Sequence, residues 1–521
     1  MWVLPLLVFA FMYLFKSYFF PIHDFANYYF GAFSIVHDFF SIDIYNALNF
    51  NKALENKGFE NIFVSYYPNT PFLSFFFLPL SVLDWPFAKI LFNLLGFVLF
   101  LYTLTVFIKE YSLPHIVLLL IPLFFFIPIK NNILFGQMYL LIFSLMGLGF
   151  ILYMKNKKAI ASILWAVCIL LKVFPIVILP WLILRKDMKG TSMLILACVS
   201  LLLLSVPFCG VESWSYFFSN VFPDSSAGII YDGFTPKAKS ALMLFKNTFV
   251  YDSLLNPSPI VNSTWMNIIS LLAYKFFIVG TCASVTLSNT LGLENKPIAS
   301  FSLWMVASLL IGPTSSSYSQ ILLLFPLLSI FNNYKASEKV RTIILIGLIF
   351  IAANLPMHYF YELPLFLKFP RVYTLIILFL MLSIPLYKKI NPLLLLSLFS
   401  FLLGSQLLSK KGNSLYKYVD SGINYPAMLT DYSIENDTLS FYHWTNNGIE
   451  KIKTQLKLQL VDSLKVDIVD NQIFYQGTPI TDSPDSKIKA HVVDSNKIIF
   501  LTDYNRGPGF YSLRQIDLPS N

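Results

Sequence analysis

The sequence predicts an all-α polytopic membrane protein of about thirteen spans, followed by a small β-rich extracytoplasmic domain. Three observations point there. The 521 residues are 56% hydrophobic and only 12% charged, whereas soluble domains carry roughly a quarter charged residues. Apolar stretches of spanning length recur along the chain, separated by short basic clusters. After about residue 409 the pattern changes to alternating apolar and polar residues broken by turn signals.

Taken in order, spanning stretches run at about 2–20, 86–108, 114–129, 138–154, 191–208, 264–288, 297–312, 317–332, 339–354, 371–387 and 391–408. Basic clusters lie at Lys109, at Lys155, Lys157 and Lys158, at Arg185, Lys186 and Lys189, at Lys335, Lys339 and Arg341, and at Lys388 and Lys389. Lys and Arg accumulate on the cytoplasmic side, so all of these should face one side. That requirement makes 159–184 a hairpin of two short helices with Lys172 and Pro175 at its apex. Segment 70–84 is short and holds Pro71 and Pro79, so it reads as a re-entrant or surface-lying helix rather than a span. The amino end is then inside and the carboxyl end outside. The outer face receives loops 22–85 and 209–263, the turn 130–137, the apex 312–317, loop 355–370 and the tail. Two domains are expected, 1–408 in the membrane and 409–521 outside it.

The 17% aromatic share suits lipid-facing helices and interfacial rings. The net charge of +9 is spread over short loops without a basic run, which speaks for topology and against nucleic-acid binding. Cys168, Cys198, Cys209 and Cys282 lie in or beside apolar segments without CxxC spacing, so neither a disulfide framework nor a zinc site is expected. The first helix lacks a basic n-region and a small-residue cleavage site and is kept as a span.

The residues able to carry chemistry gather on the outer side. Asp24, in IHDFANYY at 22–29, sits just past the first helix, with His23 beside it and Tyr28 one turn on. From spacing alone it is either an N-cap at the membrane face or a base held there. The loop continues through Asp43 and Tyr45 to Tyr67 in SYYPNTPF, a mixture of aromatics and carboxylates that suits sugar rings and equally an interfacial belt. Lys172, at depth in the membrane, must face a cavity or a partner and is functional by default. Arg371 stands at an outer helix mouth, where it either meets a phosphate or snorkels to headgroups. His358 and Glu362 are one helical turn apart, but two ligands make a weak site and no metal is expected.

Several of these stretches together resemble a known family. D-F-x-x-Y-Y at 24–29, I-Y-N at 44–46, Y-Y-P-N-T-P-F at 66–72 and F-x-P-L at 77–80 resemble the start of glycosyltransferase family 87. F-G-Q-M-Y-L-L at 135–141, L-L-K-V-F-P-I at 170–176 and G-P-T-S-S-S-Y-S-Q at 312–320 continue the resemblance, which covers roughly residues 1–335. It implies the GT-C membrane fold and transfer of a hexose, mannose in the family, from a polyprenyl-phosphate donor to a glycan or glycolipid hydroxyl. Asp24 aligns with the family's catalytic aspartate, and Lys172 falls on a lysine suited to the donor phosphate. Asn132 and Gln137 occupy the second outer turn, where related enzymes carry another acid, so a single-carboxylate arrangement is implied. Tyr318 and Ser319 stand where many members have histidines, a departure that bears on donor or acceptor identity.

An activated polyprenyl-phosphate sugar needs a base, a cation and alignment, so no cofactor is expected. The alternative is a transporter or flippase, against which intramembrane charges are few and no half repeats the other. A scaffold presenting its β tail is a third reading. A bacterial inner membrane is the expected location, with sequons at Asn262 and Asn436 leaving a luminal setting open.

Overall fold

A computed structural model describes residues 3–518 apart from 61, 230–232, 236, 238, 291–296, 334–335, 385–415, 422–427, 446–447 and 462–465. The chain is helical up to Ser383 and β-rich from Lys417 to Asp517. The last expected span, 391–408, and the expected boundary after residue 408 lie outside the described residues.

The first half builds the frame. Helix α1 (Leu4–Phe19) starts with a proline in its first turn and ends at Phe20 in extended conformation, where Pro21 follows. Helices α2 (Phe25–Val36), α3 (Ala47–Glu55) and α4 (Pro71–Phe77) occupy the segment 22–85 expected to be the first outer loop. With its 3-10 extension α4 reaches only Leu80, too short to cross, and it packs on α2. Helix α5 (Trp85–Glu110) is long and apolar enough to span; α6 (Ile116–Phe124) and α7 (Phe126–Phe135) meet at a 68° bend beside Phe125. Helix α8 (Tyr139–Met154) leads into α9 (Lys158–Leu171), α10 (Ile178–Leu184) and α11 (Met188–Cys209).

The 158–187 segment turns back on itself. Lys158 Nζ bonds Asp187 Oδ1 at 2.9 Å, and Tyr153 Oη donates to Asp187 Oδ2 at 2.8 Å. Trp165 of α9 and Trp181 of α10 meet edge-to-face with centroids 6.2 Å apart. Both ends of the segment therefore lie together, and the extended backbone at Lys172 forms the apex.

Three helices are long and apolar enough to cross a membrane, Trp85–Glu110, Met188–Cys209 and Thr264–Leu287, or four if the bent pair is one span. The other apolar helices among the described residues have 10–17 residues. The expected count of about thirteen is not reached by this measure. Prolines and 3-10 turns cut the apolar runs: Leu78–Leu80, Phe174–Val177 and Tyr318–Leu323 are all 3-10. One continuous apolar cluster nevertheless joins α1, α2, α4, α5 and α7 to α9 with helix Pro297–Ile311 and the segment 321–330.

Among the described residues the β-rich part holds ten strands: β1 (Lys417–Tyr418), β2 (Leu429–Glu435), β3 (Thr438–Thr445), β4 (Gly448–Lys457), β5 (Val466–Val469), β6 (Gln472–Tyr475), β7 (Thr478–Pro479), β8 (Lys487–Val493), β9 (Lys497–Thr502) and β10 (Ser512–Asp517). They form antiparallel sheets ordered β1-β10-β9-β8, β2-β3-β4 and β5-β6-β7. Leu48 of α3 is buried in the core of this part with Leu429, Phe441, Leu501 and Leu513, so the β-rich part sits on the first outer loop.

Candidate active site

The site begins where α1 gives way to α2. Pro21 and the left-handed His23, at φ 52°, bend the chain sharply, a conformation costing a non-glycine residue about 1 kcal/mol or more. Packing holds it there. The His23 ring stacks on Phe135 at 4.0 Å, and Lys89 Nζ of α5 donates to the Pro21 carbonyl at 2.8 Å.

Asp24 occupies the N-cap position of α2 yet makes no capping bond through its side chain, and its backbone is already helical (φ −63°, ψ −21°). A working cap needs an extended backbone and an oxygen turned to the helix amides. This carboxylate is turned away. Gln137 Nε2 donates to Asp24 Oδ2 at 2.5 Å, and His23 Nδ1 lies 3.3 Å from Oδ1. The side chain keeps 30% of its surface exposed, enough to meet a substrate proton. Burial alone would raise its pKa, but His23, the Gln137 amide and the Lys172 charge outweigh that and hold the carboxyl below its ordinary value.

Gln137 reaches Asp24 because of its neighbour. Gly136 ends α7 in the left-handed region (φ 66°), and a Cβ there would stand 2.6 Å from Phe25 Cβ. Only glycine allows α7 to stop this close to α2. The other end of the Gln137 amide accepts from Tyr28 Oη at 2.7 Å.

Tyr28 joins the two charges. Its hydroxyl holds Gln137, and the Lys172 ammonium lies 5.5 Å from the centre of its ring, within cation–π range. Lys172 Nζ also donates to Asn69 Oδ1 at 2.8 Å. The hairpin apex and the segments 22–85 and 130–137 thus converge on one place, with Asp24 and Lys172 close enough to feel each other's charge.

The remaining expected residues fall at varying remove. Tyr45 is buried and donates to the Asn69 carbonyl at 3.1 Å, one step behind Lys172. Tyr67, buried after a cis Tyr67–Pro68 bond, donates to the Val221 carbonyl at 3.3 Å. Asn132 is interior: it bonds the Pro128 and Tyr318 carbonyls and accepts from the Tyr139 amide. Tyr318 packs its ring on Tyr139 at 5.3 Å. Asp43 is exposed and accepts from Asn49 at 2.9 Å. The guanidinium of Arg371 is buried and donates to the Ala352, Ser315 and Leu355 carbonyls at 3.0, 3.3 and 3.1 Å, so it does not snorkel.

Three residues that sequence reasoning passed over belong here. Asn69 is the direct partner of Lys172. Tyr139 stacks on Phe174 at 5.8 Å, beside the apex, near enough for the Asp24 charge to act on it. Lys89 is buried beside the α1–α2 turn, and it too feels Asp24. The rule that found Lys172 applies equally to Lys89, a lysine inside a long apolar helix.

An open depression of about 450 Å³, lined by Lys109, Ser112 and His115, lies at the far end of α5. Some twenty residues of helix, about 30 Å, separate it from Lys89, so it is unrelated to this constellation. Among the described residues no three His, Cys, Asp or Glu side chains gather as a metal site would require.

Residues 67–313 match the family model of glycosyltransferase family 87. No curated protein and no solved structure matches the chain. The matched stretch takes in Tyr67, Asn69, Asn132, Gln137, Tyr139 and Lys172, and leaves Asp24, Tyr318 and Arg371 outside it. It supports a membrane glycosyltransferase with donor and acceptor substrates, and lends no support to a transporter. On this match, the chain's likeness is to glycosyltransferase family 87.

Proposed function

We propose that the protein transfers a hexose, mannose by family likeness, from a polyprenyl-phosphate donor to a hydroxyl of a glycan or glycolipid on the outer membrane face. The observation that carries this is the convergence of one partly exposed carboxylate that does not cap its helix and one amine through Tyr28. In a single inverting displacement the acceptor oxygen attacks the anomeric carbon, and the bond from that carbon to the phosphate oxygen breaks. Asp24 takes the acceptor proton, and polyprenyl monophosphate leaves with its charge beside Lys172. Gln137 and His23 hold the carboxylate, Asp43 is the exposed acid of the 22–85 segment, and the buried Tyr45 and Tyr67 support the site from behind, Tyr45 through the Asn69 carbonyl. Phosphate recognition is assigned first to Lys172; Arg371 gives three of its five N–H groups to backbone carbonyls, which leaves it the lesser part.

The topology that goes with this has the amino end inside, a GT-C-like membrane part and the β-rich part outside. Contacts between the β-rich part and segments 46–48 and 252–253, all assigned to the outer side, support it. A bacterial inner membrane remains the expected setting.

Purified protein in nanodiscs, given a synthetic polyprenyl-phosphate hexose and an oligosaccharide acceptor, should form a glycosidic bond with inverted anomeric configuration. Retention of configuration, or passage of the intact lipid between leaflets without a new bond, would contradict the proposal.

A further inference from the structure

We propose that the C-terminal β-rich region acts on the donor side of the site, through Gly509 as a positioning residue that holds α3 and, behind it, Asn69 against Lys172. This rests on the assignment of Lys172 to the donor phosphate.

The hold begins in the loop after β9. Asp503 fixes it, accepting from the Gly509 amide at 3.1 Å through Oδ2 and from the Ser486 amide at 2.8 Å through Oδ1. Gly509 has φ 81°, and a Cβ on it would lie 2.4 Å from Asn46 Oδ1, 2.7 Å from the Ala47 nitrogen and 2.8 Å from the Leu48 nitrogen. No side chain fits there. The close approach lets the Pro508 carbonyl accept from the Ala47 amide at 3.0 Å, satisfying one of the donors that a helix start leaves unpaired. Asn46 caps the same helix through the Asn49 amide and reaches Tyr511 Oη at 3.4 Å. Leu48 completes the attachment inside the β core.

From α3 the connection runs inward by two routes. Tyr45, directly before the cap, donates to the Asn69 carbonyl. Asn51 of α3 bonds both backbone groups of Val64, at 2.7 and 2.8 Å. The 64–69 segment is thus tied at one end to α3 and at the other to Tyr45, just before its cap, and its last residue accepts from Lys172 Nζ through Oδ1. A displacement of α3 must move the acceptor that fixes the ammonium. Asp24 takes its side-chain bonds from Gln137 and His23 rather than from 64–69; the segment meets α2 at Asn27, whose Oδ1 accepts from the Ser65 amide at 2.9 Å, and the base should be largely spared.

The test uses the full chain with two variants. Gly509→Ala should speed amide exchange over 64–72 and raise the donor KM about five-fold or more, while kcat at saturating donor stays within about two-fold. Tyr45→Phe leaves the docking intact and removes only the link to Asn69; it should raise the donor KM about five-fold. If Gly509→Ala fails to fold, Leu48→Ala, which removes the α3 side chain seated in the β core, takes its place with the same readouts. Faster exchange confined to 46–48 with an unchanged donor KM overturns the proposal, as does an unchanged KM in Tyr45→Phe. Should the wild-type protein transfer no sugar, the enzymatic reading fails separately. Exchange over 64–72 in Gly509→Ala then still decides whether the β-rich region holds this segment: faster exchange supports the coupling and unchanged exchange overturns it.

Discussion

At the scale of single residues, the hydrogen bonds of Asp24 give its protonation a direction. Its folded pKa is depressed, so the ionised form persists down to acid below the ordinary carboxylate range. The bonds it makes stabilise the fold above the unfolded pKa, and that contribution is lost as pH falls through the folded one. Gln137→Met removes one donor to the carboxylate while keeping the bulk. The acid limb of kcat/KM should move to higher pH in this variant, and a limb that stays in place would separate Gln137 from the base. Asp24 and Lys172 were legible in the sequence because charge is scarce in this chain, and each lies where an apolar run breaks. Asn69 was not legible as a partner, since a loop amide acquires a role only from what the fold puts opposite it. Arg371 showed the reverse: its charge was plain, but its three carbonyl partners come from Ser315, Ala352 and Leu355, brought together by packing alone.

At the scale of elements, the decisive joint is the stop of α7 against α2. Gly136→Ala imposes a left-handed conformation on a residue with a Cβ, costing about 1–2 kcal/mol, before the 2.6 Å contact with Phe25 is counted. The expected outcome is a lowered melting temperature together with a kcat loss. A variant of wild-type activity would show that Gln137 does not depend on this close approach. The hairpin of α9 and α10 was foreseeable because basic clusters at both ends of an apolar run demand the same side of the membrane. The 3-10 turns at Pro79 and Pro175 fall where the sequence marks prolines, but the bend between α6 and α7 was not foreseen. Hydropathy marks where a run is apolar, but the 68° bend beside Phe125 and the 3-10 stretches are settled by prolines and by neighbouring helices.

At the scale of the molecule, the β-rich part is fastened at a second point, far along the chain from α3. Arg514 and Asp252 form a fully buried pair at 3.2 Å, with Ser253 and Asn505 completing their bonds. Breaking one partner of such a pair costs about 3–5 kcal/mol, so Arg514→Met should open the 417–517 region to limited proteolysis while the membrane part stays protected. Equal protection of both parts would mean the pair is dispensable for docking. Asp503 works in the opposite sense. Burial, with Asp485 beside it, pushes its carboxyl up to about 7 against the pull of the Gly509 and Ser486 amides and Lys487. A raised carboxylate pKa stabilises the fold below the unfolded value and loses that contribution as pH rises through the folded one. The stability of the wild type should therefore decline relative to Asp503→Asn between about pH 4 and 7, followed by thermal unfolding across that range. Alternating residues and turn signals foretold the β character of the tail. Its seat on the first outer loop was hidden, because Leu48 reads as an ordinary apolar position of α3.

The most direct measurement compares Asp24→Asn with the wild type in single-turnover sugar transfer, with donor binding measured on the same preparations. The asparagine keeps the shape but cannot take a proton, so transfer should fall about 10²–10⁴-fold with donor affinity essentially unchanged. Transfer at the wild-type rate would contradict the account.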